Sequence, residues 1–222
     1  MKAPKLYSDI HGWLDYEDLY DFFSRDFLKD GDTFVEVGSW QGRSISYIAQ
    51  RIKSLNKNVK IFAVDTFKGQ EDDEDHQEIV KDLGGSTLEI FNFNLKSLGL
   101  EDMVTAIQLD SVEASKTFEN YSINAIFIDG DHRSEAVAKD LKAWYPKIKK
   151  EGAFCGHDYT WDSVRKEVHE FITPKAKSKE VDYLEMNAGF NFFRNNAPQT
   201  KSLEWGYPLY VSNSSWAVKK CK

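Results

Sequence analysis

The stretch Thr33-Phe34-Val35-Glu36-Val37-Gly38-Ser39-Trp40-Gln41-Gly42 runs from an apolar, β-branched segment into a glycine-bounded turn and then into helical spacing, with Ile45, Ile48, Ala49 and Ile52 on one face. Glycine permits the tight turn and lets the backbone approach a ligand closely, while the N-terminus of the following helix offers N–H donors to an anionic group. A side chain at Gly38 is expected to fill that ligand space. The spacing is E-x-G-x-x-x-G, not the G-x-G-x-x-G of dinucleotide sites, which disfavours a nicotinamide cofactor.

Outward from this strand–turn–helix unit the same alternation repeats. Short apolar runs at 33–37, 59–65, 104–110, 123–129 and 152–158 are read as strands separated by helices, the signature of βαβ units and a parallel sheet. Val137, Leu141, Trp144 and Ile148 form a second helical stripe, which Pro146 is expected to shorten or distort. Upstream, Tyr16, Leu19, Tyr20, Phe23 and Phe27 recur at helical spacing and are read as a leading helix packed on the core. Downstream, a helix is expected over 162–172, broken by Pro174 and a lysine-rich stretch, followed by a β-hairpin of 181–186 and 189–194. The tail with Trp205, Tyr207, Tyr210 and Trp216 has no clear period. The expectation is a doubly wound, mostly parallel α/β sheet of seven strands closed by a C-terminal antiparallel hairpin. It places one domain over 1–222: a helical segment 1–30, a core 31–194 and an extension 195–222.

Bulk properties fit this outline. A chain of 222 residues with 41% hydrophobic and 29% charged residues is long enough for one well-packed domain and too apolar to remain disordered. A formal net charge of −7 gives no overall attraction to phosphate backbones or anionic membranes, so neither nucleic acid nor membrane is expected as a partner. Residues 1–9 show no apolar signal-peptide core, and no run approaches a membrane span. Cys155 and Cys221 form no CxxC pair, so a cytoplasmic setting is expected, and self-association is left open.

The strand ends are uniform in chemistry. Glu36 lies at the end of the first run, and the other four end in Asp65, Asp110, Asp129 and Asp158. Ligands of open α/β sheets bind outside these carboxyl ends. One such Asp alone reads as a turn former or helix cap. Five converging carboxylates repel one another unless something cationic or hydroxyl-rich lies between them. The run Glu71-Asp72-Asp73-Glu74-Asp75-His76 is read as a solvated loop, with a lid over the cofactor as the rival reading.

The ordered set Glu36-x-Gly38-x-x-x-Gly42, Val64-Asp65-Thr66-Phe67, Leu109-Asp110-Ser111 and Ile128-Asp129-Gly130-Asp131-His132 resembles the motifs of class I S-adenosylmethionine methyltransferases, over roughly residues 30–194. The resemblance implies a Rossmann-like methyltransferase fold. It implies cofactor contacts from Glu36, Gly38, Ser39, Trp40, Gln41, Gly42, Asp65, Thr66, Phe67, Asp110, Ser111 and Asp129. In it the glycine turn holds the methionine moiety, Asp65 the ribose hydroxyls, and Asp110 with Ser111 the adenine. With Asp140-Leu141, Trp144, Pro146, Gly152 and Gly156-His157-Asp158-Tyr159, the later segment is similar to metal-dependent small-molecule O-methyltransferases, of the kind acting on sugar hydroxyls of macrolide-type products. That similarity implies a Mg²⁺ or Mn²⁺ site of Asp129, His157 and Asp158, with His157 standing where the family more often has a carboxylate.

The chemistry implied is in-line attack of a small-molecule acceptor oxygen on a sulfonium methyl group, which requires orientation and a base or metal. Asp129, His132 and His157 are the candidate catalytic residues; helix caps and a buried histidine are the alternative reading. A hydroxylase-like or nucleotide-sugar enzyme, or a binding module without turnover, uses the same fold equally well.

Overall fold

The computed structural model describes residues 2–182, 184, 209–212 and 214–222. A short helix α1 (Glu17–Phe22) continues through a π-helical turn (Phe23–Phe27) into β1 (Thr33–Val37), followed by α2 (Arg43–Ser54), β2 (Lys60–Asp65), α3 (Glu74–Asp82), α4 (Leu88–Ser97) and β3 (Val104–Gln108). Then come α5 (Ser111–Ser115), β4 (Ile123–Ile128), α6 (Ser134–Trp144), β5 (Ile148–Gly156), α7 (Asp162–Lys177), β6 (Val181–Asp182), β7 (Tyr210–Ser212) and β8 (Ser215–Lys220).

One sheet links the strands in the order β3-β2-β1-β4-β5-β8-β6. The β1–β5 pairings are parallel, and β8 runs antiparallel to β5. The central strand β4, Ile123-Asn124-Ala125-Ile126-Phe127-Ile128, is buried on both faces, as expected for a strand covered by helices on each side. One core packs Tyr20, Phe34, Ile45, Ile48 and Phe127 on one face. Another packs Val35, Ile126, Leu141, Trp144 and Phe154 on the other.

The mostly parallel, seven-strand framework is as expected, five of its strands being paired in parallel, with a short eighth strand, β7, added beyond β8. The expected hairpin is corrected in its parts. Val181–Asp182 is a strand, while residues 183, 185 and 186 and all of 189–194 lie outside the described residues. Its antiparallel partner is β8, from the tail that showed no period. The tail was obscure because Trp216, Ala217 and Val218 are all buried, so the strand lacks polar alternation. Two helix bounds also move. The Pro146 region forms a 3-10 turn (Tyr145–Lys147), so Ile148 opens β5, whereas α7 carries Pro174 in its last turn.

Candidate active site

The strand order reverses between β1 and β4, which places a crevice at their carboxyl ends. Gly38 sits there at φ +86°, and a Cβ on it would lie 1.8 Å from the Asp129 carbonyl oxygen. The close approach of the β4 backbone by itself demands glycine here. Gly42, at φ +92°, opens α2 with the Phe91 ring 3.0 Å from where its Cβ would be.

Asp65 holds this turn from the neighbouring strand. Its Oδ2 accepts the N–H groups of Ser39 and Trp40, both at 2.8 Å, and its Oδ1 accepts that of Phe67 at 2.7 Å. Burial pushes its pKa up, and the three amide bonds pull the other way. A carboxylate accepts about four hydrogen bonds, so one acceptor position stays open. The two amides at the turn are engaged with Asp65 rather than presented to a cofactor carboxylate. Gln41 gives its carbonyl to Asn94 Nδ2 at 3.0 Å.

Glu36 is fully buried; Tyr20 donates to its Oε2 at 2.5 Å and Ser44 to its Oε1 at 3.0 Å. Burial pushes its pKa to about 7 against the pull of these hydroxyls. Thr66 Oγ1 accepts the Lys68 N–H at 3.3 Å, while Phe67 packs inward on Phe91. Asp110 is exposed and caps α5 through the N–H groups of Val112 and Glu113. The Ser111 hydroxyl accepts from Trp144 Nε1 at 2.9 Å beside the buried Asp140, whose pKa burial raises to about 7. These residues lie on the β1–β3 side of the crevice.

On the β4–β5 side, ligand atoms of Asp129, His132 and Asp158 all lie within 4.8 Å of one another. Asp158 adopts φ +53°, a strained backbone for a non-glycine residue and of the kind found at functional sites. His132 Nε2 is buried and pairs with Asp158 Oδ2 at 2.6 Å. Its Nδ1 meets Gln70 Nε2 at 3.1 Å, and Gln70 also donates to the Gly130 carbonyl. His157 places Nε2 2.7 Å from Asp15 Oδ1, with Nδ1 3.5 Å from Asp129 and 3.3 Å from Asp158. Burial would lower the His157 pKa, but hydrogen bonds to Asp129, Asp15 and Asp158 reverse this and push it up to about 12. Burial raises the pKa of Asp129, whereas the two histidines hold that of Asp158 well below the usual range despite its own burial. His132 joins Asp129 and Asp158 in this set, and His157, to which the sequence pointed, lies beside it with Nδ1 3.5 Å from Asp129 and 3.3 Å from Asp158. The gap beside them, lined also by Val137, Leu141 and Trp216, is about 20 Å³.

The rim is aromatic. Trp40 stacks on His76 with ring centroids 4.4 Å apart, and the exposed Trp161 lies over His132 at 4.8 Å. The acidic run is only partly loop: Asp73 caps α3 by accepting the His76 N–H, and Glu74, Asp75 and His76 form its first turn. Sequence reasoning missed Asp15, Gln70 and the hydroxyls of Tyr16 and Tyr20. The signal for the last two was tyrosine at stripe positions where phenylalanine or leucine would pack as well.

A family model described as a methyltransferase domain matches residues 35–159. An uncharacterized protein of Acanthamoeba polyphaga mimivirus is 28% identical over 136 residues, 60% of this chain and 54% of that protein, so the match spans about half the relative's length. Among solved structures, an O-methyltransferase of Thermotoga maritima that depends on S-adenosylmethionine matches at TM-score 0.56 and 16% identity, covering 99% of this chain and 72% of that one. A Streptococcus mutans protein assigned as a methyltransferase and solved with S-adenosylhomocysteine matches at 0.57 and 13% identity over 95% and 99%. A Clostridium thermocellum protein assigned as an rRNA methylase matches at 0.57 and 17% identity over 95% and 100%. At such identities these structures share the fold alone, and their named acceptors differ. Among the described residues no helix is long and apolar enough to cross a membrane. With the family model covering more than half of its length and the switch-point crevice where that family's fold places it, the chain belongs to the methyltransferase-domain family, in the class I fold of S-adenosylmethionine-dependent enzymes.

Proposed function

We propose that this chain methylates a hydroxyl of a small molecule from S-adenosylmethionine, assisted by a divalent ion held by Asp129, His132 and Asp158. The observation that carries the reading is the convergence of these three side chains beside the glycine turn. The donor set fits such an ion: a buried imidazole nitrogen, two carboxylates converging with it, and a gap of about 20 Å³ that takes one ion or water. Carboxylate oxygens suit Mg²⁺, and the imidazole draws preference toward Mn²⁺ or a later metal. When bound, such an ion supplies Lewis acidity that makes an acceptor hydroxyl easier to deprotonate.

The chain's own residues do the rest. Asp65 fixes the turn Ser39–Gly42 against which the methionine moiety lies, and its remaining acceptor position meets the ribose. Asp110 and Ser111 border the adenine. Asp129, at the end of β4, faces both the turn and the histidines and is placed to orient the acceptor hydroxyl and take its proton. His157, held as the cation by Asp129, Asp15 and Asp158, supports the negative charge of Asp129. The walls formed by Trp40, Trp161 and their histidine partners limit water around the reacting atoms.

Labelled S-adenosylmethionine incubated with sugar, catechol, peptide and RNA acceptors tests the reading. Label is expected in a hydroxyl of a small molecule, abolished by chelation and restored by Mg²⁺ or Mn²⁺ in the parent protein. Asp158→Ala should lose turnover without metal rescue while cofactor affinity changes little. Methyl transfer that survives rigorous metal removal would overturn the metal, and label in RNA or peptide alone would overturn the acceptor.

A further inference from the structure

Residues 11–16 cross the mouth of the crevice and grip it at every step. Trp40 Nε1 donates to His11 Nδ1 at 3.1 Å, Arg43 Nη1 donates to the Gly12 carbonyl at 2.9 Å, and the Trp13 ring lies 5.6 Å from that of His76. Asp15 Oδ1 is 2.7 Å from His157 Nε2. The Tyr16 hydroxyl donates to Asp129 Oδ2 at 3.1 Å, with its ring packed 4.4 Å from Phe127 and 4.9 Å from His157. Residues 11–16 precede the stretch 35–159 matched by the family model.

The geometry at the last two residues is specific. With Oδ2 of Asp129 held by Tyr16, Oδ1 is the oxygen that faces His157. With Nε2 of His157 held by Asp15, Nδ1 is the nitrogen that faces Asp129 and Asp158. Tyr16 is buried and Asp15 is largely exposed, so packing explains the tyrosine ring but neither its hydroxyl partner nor the aspartate's reach.

We infer that Asp15 and Tyr16 are positioning residues of the active site: the segment 11–16, from outside the family core, fixes the rotamers of Asp129 and His157, so the ion-binding set is incomplete without it. The inference rests on the metal reading above. Groups that orient metal ligands from behind, when removed, cost about 10–100-fold in metal affinity.

The test uses the full chain and four measurements on Asp15→Asn, Asp15→Glu and Tyr16→Phe: Mn²⁺ binding by electron paramagnetic resonance, S-adenosylhomocysteine binding by calorimetry, the His157 ring ¹⁵N–¹H signals by NMR, and thermal unfolding. Tyr16→Phe should weaken Mn²⁺ about tenfold or more while S-adenosylhomocysteine affinity stays within about twofold. Asp15→Asn should move the His157 ring signals, and Asp15→Glu should restore them. Unchanged Mn²⁺ affinity and unchanged His157 signals in both amide and phenyl variants would overturn the inference, as would parallel loss of Mn²⁺ and S-adenosylhomocysteine binding, which would reduce the segment to a prop for the turn. A parent protein that takes up no Mn²⁺ sinks the metal reading instead, and the His157 signals then decide the positioning role. Should Tyr16→Phe not fold, Asp15→Asn, at an exposed carboxylate, carries the test.

Discussion

Gly38 and Asp65 show how single residues set the crevice. At Gly38 an added methyl group meets the Asp129 carbonyl at 1.8 Å and the backbone is at φ +86°, so Gly38→Ala must both strain the turn and push β1 from β4. The left-handed backbone alone costs about 1–2 kcal/mol, and the clash adds to it. Thermal unfolding should fall by well over about 5 °C. Gly130→Ala is the control, because its Cβ would meet nothing closer than 3.7 Å, and it should unfold close to the parent. Asp65→Ala removes the acceptor of three amide N–H groups. It is therefore expected to lower both unfolding temperature and cofactor affinity, the latter about ten- to a hundredfold by calorimetry. A loss of affinity with unaltered stability would mean that Asp65 meets the ribose without holding the turn.

Among the elements, α6 carries a testable charge. Asp140, buried on this helix beside Ser111, has a pKa near 7 because burial disfavours its charged form and the Asp110 and Asp131 charges add to that. In the unfolded chain the same group titrates near 4. The folded state therefore binds this proton more tightly, so the contribution of Asp140 to stability is greatest below pH 4, falls as pH rises toward 7, and levels beyond. Asp140→Asn abolishes that slope; between pH 5 and 8 it should gain about 2–3 kcal/mol relative to the parent in urea unfolding. Five strands and the main helices of the parallel half were legible because their periodicity and glycine turn are local signals. The Asp129 and Asp158 pair was legible because both sit at strand ends. The contact between Asp15 and His157 was not, since the two lie 142 residues apart in sequence. Nor was β8, whose pairing with β5 leaves no alternation to read.

At the scale of the whole molecule, the parallel half is closed by strands that come late in the sequence. β8 pairs with Ala153–Gly156 through Trp216–Lys219, and it buries Trp216, Ala217 and Val218. A chain ended at residue 208 loses that pairing and several buried side chains, each worth about 1.5–3 kcal/mol if large and apolar. This is comparable to a typical domain's entire margin of about 5–15 kcal/mol. It should be recovered as aggregate, or show no cooperative melt by circular dichroism; a soluble, cooperatively unfolding product would show that β5 tolerates an open edge. The interleaved order β5-β8-β6 also fixes a sequence of events in time. On a ribosome, β6 emerges before the strand that must separate it from β5, so it has no native neighbour to join until β8 follows. During that interval the apolar edge of β5 is available to any passing strand, and the speed of synthesis through residues 183–214 sets how long the nascent protein stays exposed to mispairing.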